Sequence, residues 1–297
     1  MAGTATDAAT LEQVSKSTIA ELLPGEGHQV VIQPSRGWIA INWRDIWRYR
    51  ELLYFLTWRD LKIRYRQTVL GFLWAFIQPF LKMVVFSMVF GKLAKMDSEG
   101  FPYPIFLYAG LLPWQFFSDS LSRSSESVVL SAHLITKVYF PRLVIPLAST
   151  GAALVDFGVS FTILIGLMVY YRVLPTVATL AVLPLVPLTV LTALGVGIFL
   201  SALNVAYRDF RHTVPFLVQI WMFLTPVIYP VTIIPHRWQW LVSLNPMAGI
   251  VDAYRSAILG KPFAWGNLAI STAVAILLFF FGAVYFRRLE RQFADIV

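Results

Sequence analysis

The sequence predicts an all-α integral membrane protein: six transmembrane helices per subunit, an amphipathic interfacial helix ahead of them, and short re-entrant helices between spans five and six. Three observations predict it. Fifty-eight per cent of the 297 residues are apolar and 13% are charged, about half the charged share of a soluble domain. The apolar residues come in runs of about twenty, long enough as helices to cross a hydrocarbon core of roughly 30 Å. The basic residues behind the net charge of +8 flank those runs instead of forming one patch, which points to a membrane surface and away from nucleic acid.

Residues 1–35 are polar and rich in small residues, with Pro24, Gly25, Gly27 and Pro34 breaking any long element. They read as a flexible cytoplasmic tail. This stretch also lacks the apolar core of a cleavable signal peptide. Residues 36–68 read as the interfacial helix, because from 42 to 66 Trp43, Trp47, Tyr49, Tyr54 and Trp58 alternate with Arg44, Arg48, Arg50, Arg59, Lys62, Arg64 and Arg66. Such a mixture suits the headgroup layer, where indole and phenol rings have one wet and one dry edge.

Residues 69–297 form the six-span domain, with spans expected at roughly 69–91, 104–122, 143–171, 176–206, 213–234 and 267–286. With the N-terminus inside, the cytoplasmic segments hold sixteen Lys and Arg, against six outside (Lys92, Lys95, Arg172, Arg237, Arg255 and Lys261). Basic residues are retained in the cytoplasm, so both termini are expected there.

The stretch 226–262 is apolar but interrupted by Pro230, Pro235, Pro246 and Gly249. Neither half is long enough to cross. Asn245 and Pro246 read as N-cap and first helical residue, Met247, Ile250, Val251, Tyr254 and Ile258 as one face, and Gly260 as a stop. A second short helix is expected near 237–243. Broken backbone at membrane depth needs cover from protein or a wet cavity, which places this segment by a pore mouth on the outer side.

No cysteine occurs, which excludes thiolate catalysis, disulfides and cysteine-built metal sites. His28, His133, His212 and His236 are too scattered for a zinc motif, so no cofactor or metal is expected in this chain.

Six segments in order resemble a known family: RDLKIRYRQTVLGFLWAFIQP at 59–79, GLLPWQFF at 110–117, KVYFPRLVIPLA at 137–148, NVAYRDF at 204–210, TPVIYP at 225–230 and LNPMAGIVDAYRSAILG at 244–260. The family is that of the ABC-2-type permease subunits that export O-antigen, capsule and teichoic-acid polymers, and the resemblance covers about residues 36–297. It implies a homodimer in the bacterial inner membrane, bound to two copies of a separate P-loop ATPase and carrying a polymer linked to a lipid pyrophosphate. This chain has no G-x-x-x-x-G-K-[ST] phosphate loop, so ATP and magnesium would be bound by the partner.

The resemblance puts a coupling helix between spans two and three, in SAHLITKVYFP at 131–141. Tyr139 and Phe140 would fill an apolar cleft of the ATPase, with His133, Lys137 and Arg142 at its polar rim. Arg59, Asp60, Lys62, Arg64 and Arg66 offer either a second contact or a headgroup anchor. A sugar polymer needs a conduit that holds each ring weakly, as flat aromatic faces do. Phe72, Trp74, Phe76, Phe80 and Phe86 in span one, and Phe216, Trp221, Phe223 and Tyr229 in span five, could supply those faces.

Trp74, Gln78 and Lys82 fall at i, i+4 and i+8 and make one stripe, expected to face a dimer axis together with Gln219 and Trp221. Lys82 could meet a lipid pyrophosphate or acidic sugars, or snorkel outward. Asp119 and Arg123 could pair along one helix. Asp156, inside span three, would serve as a structural hydrogen-bond acceptor or as a proton relay.

Other classes fit less well. A membrane glycosyltransferase needs a positioned base or metal-binding carboxylates, and no D-x-D or H-E-x-x-H occurs. An ion-coupled carrier should show several buried acids, and only Asp119 and Asp156 qualify. Within the family, a drug or lipid exporter is the alternative.

Overall fold

The computed structural model describes residues 43–66, 71–207, 209–290 and 293, apart from the side chains of Trp43, Asp45 and Phe72. The expected tail at 1–35 lies outside the described residues. Among the described residues there is no strand; they form helices joined by turns.

The interfacial segment forms α1 (Trp43–Arg48) and α2 (Arg50–Tyr65), separated at Tyr49. Within α2 only Leu56 is buried. The helix nevertheless does not stand alone, because it packs along α6 (Val144–Tyr170), the expected third span. Thr57 Oγ1 donates to the Ala148 carbonyl at 3.2 Å, and Gly151 lets the two helices close: a Cβ there would sit 3.0 Å from Thr57 Oγ1.

After Gly71, whose φ of +49° suits a residue without a side chain, α3 (Trp74–Phe86) continues through π-helical turns over Ser87–Leu93. Then come α4 (Tyr103–Leu130), α5 (Ala132–Lys137), α6, a 3₁₀ turn at Val177–Ala181 leading into α7 (Val182–Ala206), α8 (Phe210–Leu224), α9 (His236–Ser243), α10 (Pro246–Leu259) and α11 (Trp265–Glu290).

Among the described residues, four stretches are long and apolar enough to cross a membrane: Trp74–Leu93, Val144–Tyr170, Val177–Ala206 and Trp265–Glu290. The expected second span, α4, is long at 28 residues but carries Asp119, Arg123 and Glu126 in its second half. The expected fifth span, 213–234, is shorter as a helix than the sequence suggests. Helix α8 stops at Leu224, fifteen residues after it starts, and is about 22 Å long at 1.5 Å per residue. The cause is local: Thr225 precedes Pro226, and a residue before proline is pushed out of helical geometry, here to ψ 134°.

The two short helices form where expected. Asn245 caps α10, its side chain accepting from Met247 N at 3.1 Å, and Gly260 ends it with a φ of +71°. Helix α10 then buries thirteen of its fourteen residues against α4, α7 and α11.

The described residues belong to one unit spanning residues 41–297, with two apolar clusters. One gathers the first half of α4, α10 and the Val227–Ile228 turn. The other joins Leu56, Phe140, Val144, Ile198, Phe286 and Phe293. Between α7 and α11 the backbones nearly touch, since a Cβ on Gly282 would come within 2.3 Å of the Gly195 carbonyl. Close approach through small residues is how apolar helices associate where the hydrophobic effect gives no drive.

Candidate functional site

Polar chemistry is concentrated where α2, α3, α4 and α6 meet. Asp156 is at the centre, buried, with both carboxylate oxygens engaged: the Arg64 guanidinium pairs with Oδ2 and the Tyr65 hydroxyl donates to Oδ1. A second guanidinium, that of Arg123 on α4, lies 3.8 Å from Oδ2. One carboxylate shared by two guanidiniums leaves the cluster with a surplus positive charge. It also latches the interfacial helix to the second and third long helices.

Asp156 therefore serves as an acceptor fixing two helices to its own, in line with the hydrogen-bond reading of the sequence. The expected local pair between Asp119 and Arg123 is replaced. Asp119 accepts from Gln115 Nε2 at 2.8 Å, while Arg123 turns to Asp156.

Beside this cluster opens a cavity of about 360 Å³ lined by Arg64, Tyr65, Gly71, Trp74, Ala75 and Gln78. Trp74 and Gln78, two members of the expected stripe, thus border one space. The third, Lys82, does not snorkel: its Nζ donates to Gln115 Oε1 at 2.7 Å, and Gln115 in turn holds Asp119, giving a chain of polar contacts from α3 into α4.

The aromatic candidates of α3 do not share one wall. At 100° per residue, Phe76 and Phe80 point away from the face of Trp74 and Gln78. Trp74 and Phe80 are exposed and Phe76 is half-buried; the Phe72 side chain lies outside the described residues.

On α8 the split is similar. Phe216, Gln219 and Phe223 are exposed on one face. Trp221, expected to join Gln219, faces the opposite way, where it meets Phe117 edge-to-face at 5.1 Å between ring centroids and donates to Asn245 Oδ1 at 3.0 Å. Tyr229 is tied back through its hydroxyl to the Phe223 carbonyl at 2.9 Å. Both rings hold the chain's own fold together; sequence periodicity could not have separated Trp221 from its exposed neighbours without knowing which face of α8 is covered.

The segment between α4 and α6 also divides. His133 and Lys137 on α5 are exposed, as is Tyr139, at 70%. Phe140 is corrected: at 5% exposure its ring packs in the cluster with Leu56 and Val144, so it anchors the segment from within and offers nothing to a partner. Arg142 is turned inward as well, its amide donating to Glu290 Oε1 at 3.3 Å and its guanidinium to the Glu290 carbonyl. Of the interfacial candidates, Arg59 pairs with its neighbour Asp60 at 2.8 Å, while Lys62 is exposed.

One residue was missed altogether. Arg255, counted with the outer-face charges, is wholly buried in α10. Its guanidinium donates to the carbonyls of Pro226 (2.8 Å), Val227 and Tyr229 (3.2 Å), sits 3.9 Å from the Phe106 ring centroid and fits above Gly110. Backbone oxygens freed by the proline turn are thus satisfied by one cation. The signal in sequence was an arginine three residues after Asp252 on a largely apolar helix, next to a segment with two prolines.

Comparison with known proteins places this geometry. The profile of the ABC-2 type transporter family matches residues 51–259. An O-antigen export system permease protein of Myxococcus xanthus is 34% identical over 256 residues, 85% of this chain and 97% of that protein. A protein of the same description from Klebsiella pneumoniae is 29% identical over 83% of this chain and 95% of its own length. A polysialic acid transport protein of Escherichia coli is 22% identical over 78% of this chain and 91% of its own length.

Proposed function

The chain belongs to the ABC-2 type transporter family, a multi-pass transport permease, and from that premise we propose that it is the membrane-spanning subunit of an ATP-driven exporter of a lipid-linked polysaccharide. The observation that carries this reading is the match to O-antigen export permeases along nearly their whole length, 97% in one case. A polysialic acid transport protein matched over 91% of its own length supports the polymer class.

In this reading two copies, each with six spans and both termini in the cytoplasm, stand on two copies of a P-loop ATPase that supplies ATP and magnesium. His133, Lys137 and Tyr139 form the contact with it, because they project from a segment held rigid by Phe140 and Arg142 beneath. Lys62 extends that contact along α2. Trp74 and Gln78, bordering the cavity, and the exposed Phe216, Gln219 and Phe223 face the translocated chain. Flat rings hold sugars without fixed registry, so no single step traps the polymer.

The test is affinity purification of this chain, expressed with its neighbouring genes, from bacterial inner membranes. A P-loop ATPase should copurify, show vanadate-sensitive turnover, and lose stimulation by the permease in Tyr139→Ala. A chain that purifies alone and whose deletion leaves surface polysaccharide unchanged would overturn the reading.

A further inference from the structure

Helix α4 has an accessibility pattern that neither composition nor the aromatic stripes explain. Between Ile105 and Val128 it is buried everywhere except at six positions: Gln115, Ser118, Asp119, Ser122, Arg123 and Glu126. All six are polar. Their spacing is i, i+3, i+4, i+7, i+8 and i+11, so at 3.6 residues per turn they fall within an arc of about 140° and extend about 17 Å along the axis. That is more than half a hydrocarbon core of about 30 Å.

A lipid-facing surface would reverse this pattern, because charged side chains within a membrane face the bundle interior or a water-filled space. The flanks fit the second alternative. At one end Lys82 reaches from α3 to Gln115; at the other Arg123 joins the Asp156–Arg64 latch, next to the cavity bordered by Trp74 and Gln78.

We propose that this face of α4 is the hydrated wall of the translocation path, leading on from the cavity at Arg64 and hydrogen-bonding a polyhydroxylated chain as it passes. Serines, an amide and alternating charges offer donors and acceptors at every turn, so a hydroxyl leaving one partner finds the next within about 5 Å, the pitch of the helix. Trp74 and Gln78 of α3 border the cavity from which this wall leads. The occupant rests on the export reading above; the water-filled wall does not.

The absence of cysteine makes the test direct. Ser118→Cys and Ser122→Cys place a thiol on the stripe, and Ser120→Cys and Ser124→Cys place one on the buried side of the same helix. The intact complex with its ATPase, in inner-membrane vesicles, is treated with a membrane-impermeant trimethylammonium methanethiosulfonate, and labelling of this chain is followed by mass shift. Stripe thiols should react about tenfold faster than buried ones, since rate follows exposure to water, and vanadate trapping with polymer loaded should slow them severalfold.

Equal rates at the four positions would overturn the proposal. Fast labelling that loaded polymer never slows would overturn the assigned occupant. Failure of the export reading shows separately, as a missing ATPase in the purification while stripe labelling stays fast.

Discussion

Helices α8 and α10 are nearly equal in length and could hardly be treated more differently by the fold. Thirteen of fourteen residues of α10 are buried, whereas of the fifteen in α8 only Val214 and Val218 are. Both lie in apolar stretches of the sequence, so hydropathy alone does not decide between them. What decides is the polar chemistry at their ends. Helix α10 has an asparagine cap, a glycine stop and a buried arginine that collects three carbonyls from the neighbouring turn. Helix α8 has a proline-broken end tied to α10 at Asn245, and no buried charge that gathers backbone carbonyls. A short helix becomes part of this chain's interior when it satisfies backbone groups that other elements leave open; otherwise its cover must come from lipid or a second copy.

The sharpest way to break that contrast is to remove the anchor. Arg255→Ala should destabilise the protein by about 3 kcal/mol or more, because buried carbonyls stripped of a partner cost roughly 1–3 kcal/mol each. In detergent the variant is expected to melt well below the wild type and to lose yield as a complex with its ATPase. Arg255→Lys should recover only part of the loss, since a point charge cannot reach the carbonyls as a forked guanidinium does. A wild-type melting curve for the alanine variant would mean that α10 is held by its apolar contacts alone.

Helix α2 lies between the extremes: it buries one side chain, Leu56, yet is latched at Asp156. Asp156→Asn would keep an acceptor for Tyr65 while leaving Arg64 and Arg123 without their shared anion. The expected cost is about 1–3 kcal/mol, between the values for exposed and buried pairs. Its signature should be local. A Cβ on Gly151 would lie 3.8 Å from that of Thr57, the usual separation in a disulfide, so Thr57→Cys/Gly151→Cys should cross-link readily. With Asp156→Asn added, cross-linking should slow severalfold as α2 loosens; an unchanged rate would show that Thr57 and Leu56 dock the helix without the latch.

Much of this architecture was legible because it rests on local signals. Asn245-Pro246 and Gly260 mark the ends of α10 in the sequence as they do in the structure, and the long apolar runs marked α3, α6, α7 and α11. Direction was the harder problem. Trp221 and Gln219 are two residues apart on one apolar helix, and only the position of Phe117 and Asn245 reveals that one points inward and the other out. Phe140 reads as an exposed aromatic next to Tyr139 until Leu56, from 84 residues earlier, is seen to belong to the same cluster. Arg255 and Asp156 carried the same ambiguity, since a charge in an apolar run shows that a partner is needed without saying which. In each case the missing information was a contact between distant parts of the chain.

The smallest effect on stability is expected from α8, and there the absence of an effect is informative. Phe216 and Phe223 are 62% and 51% exposed, and substitutions at such positions usually change stability by no more than about 0.5 kcal/mol. Phe216→Ala combined with Phe223→Ala should therefore melt with the wild type. If this face meets a second copy or the passing polymer, the same variant should still lose dimer in chemical cross-linking or slow the appearance of surface polysaccharide. A stability loss approaching that of Arg255→Ala would place these rings in a packed interior and end the contrast with α10. A variant unchanged in melting, dimerisation and export alike would leave lipid as the only cover of this face of α8, and Phe216 and Phe223 would then have no part in the path.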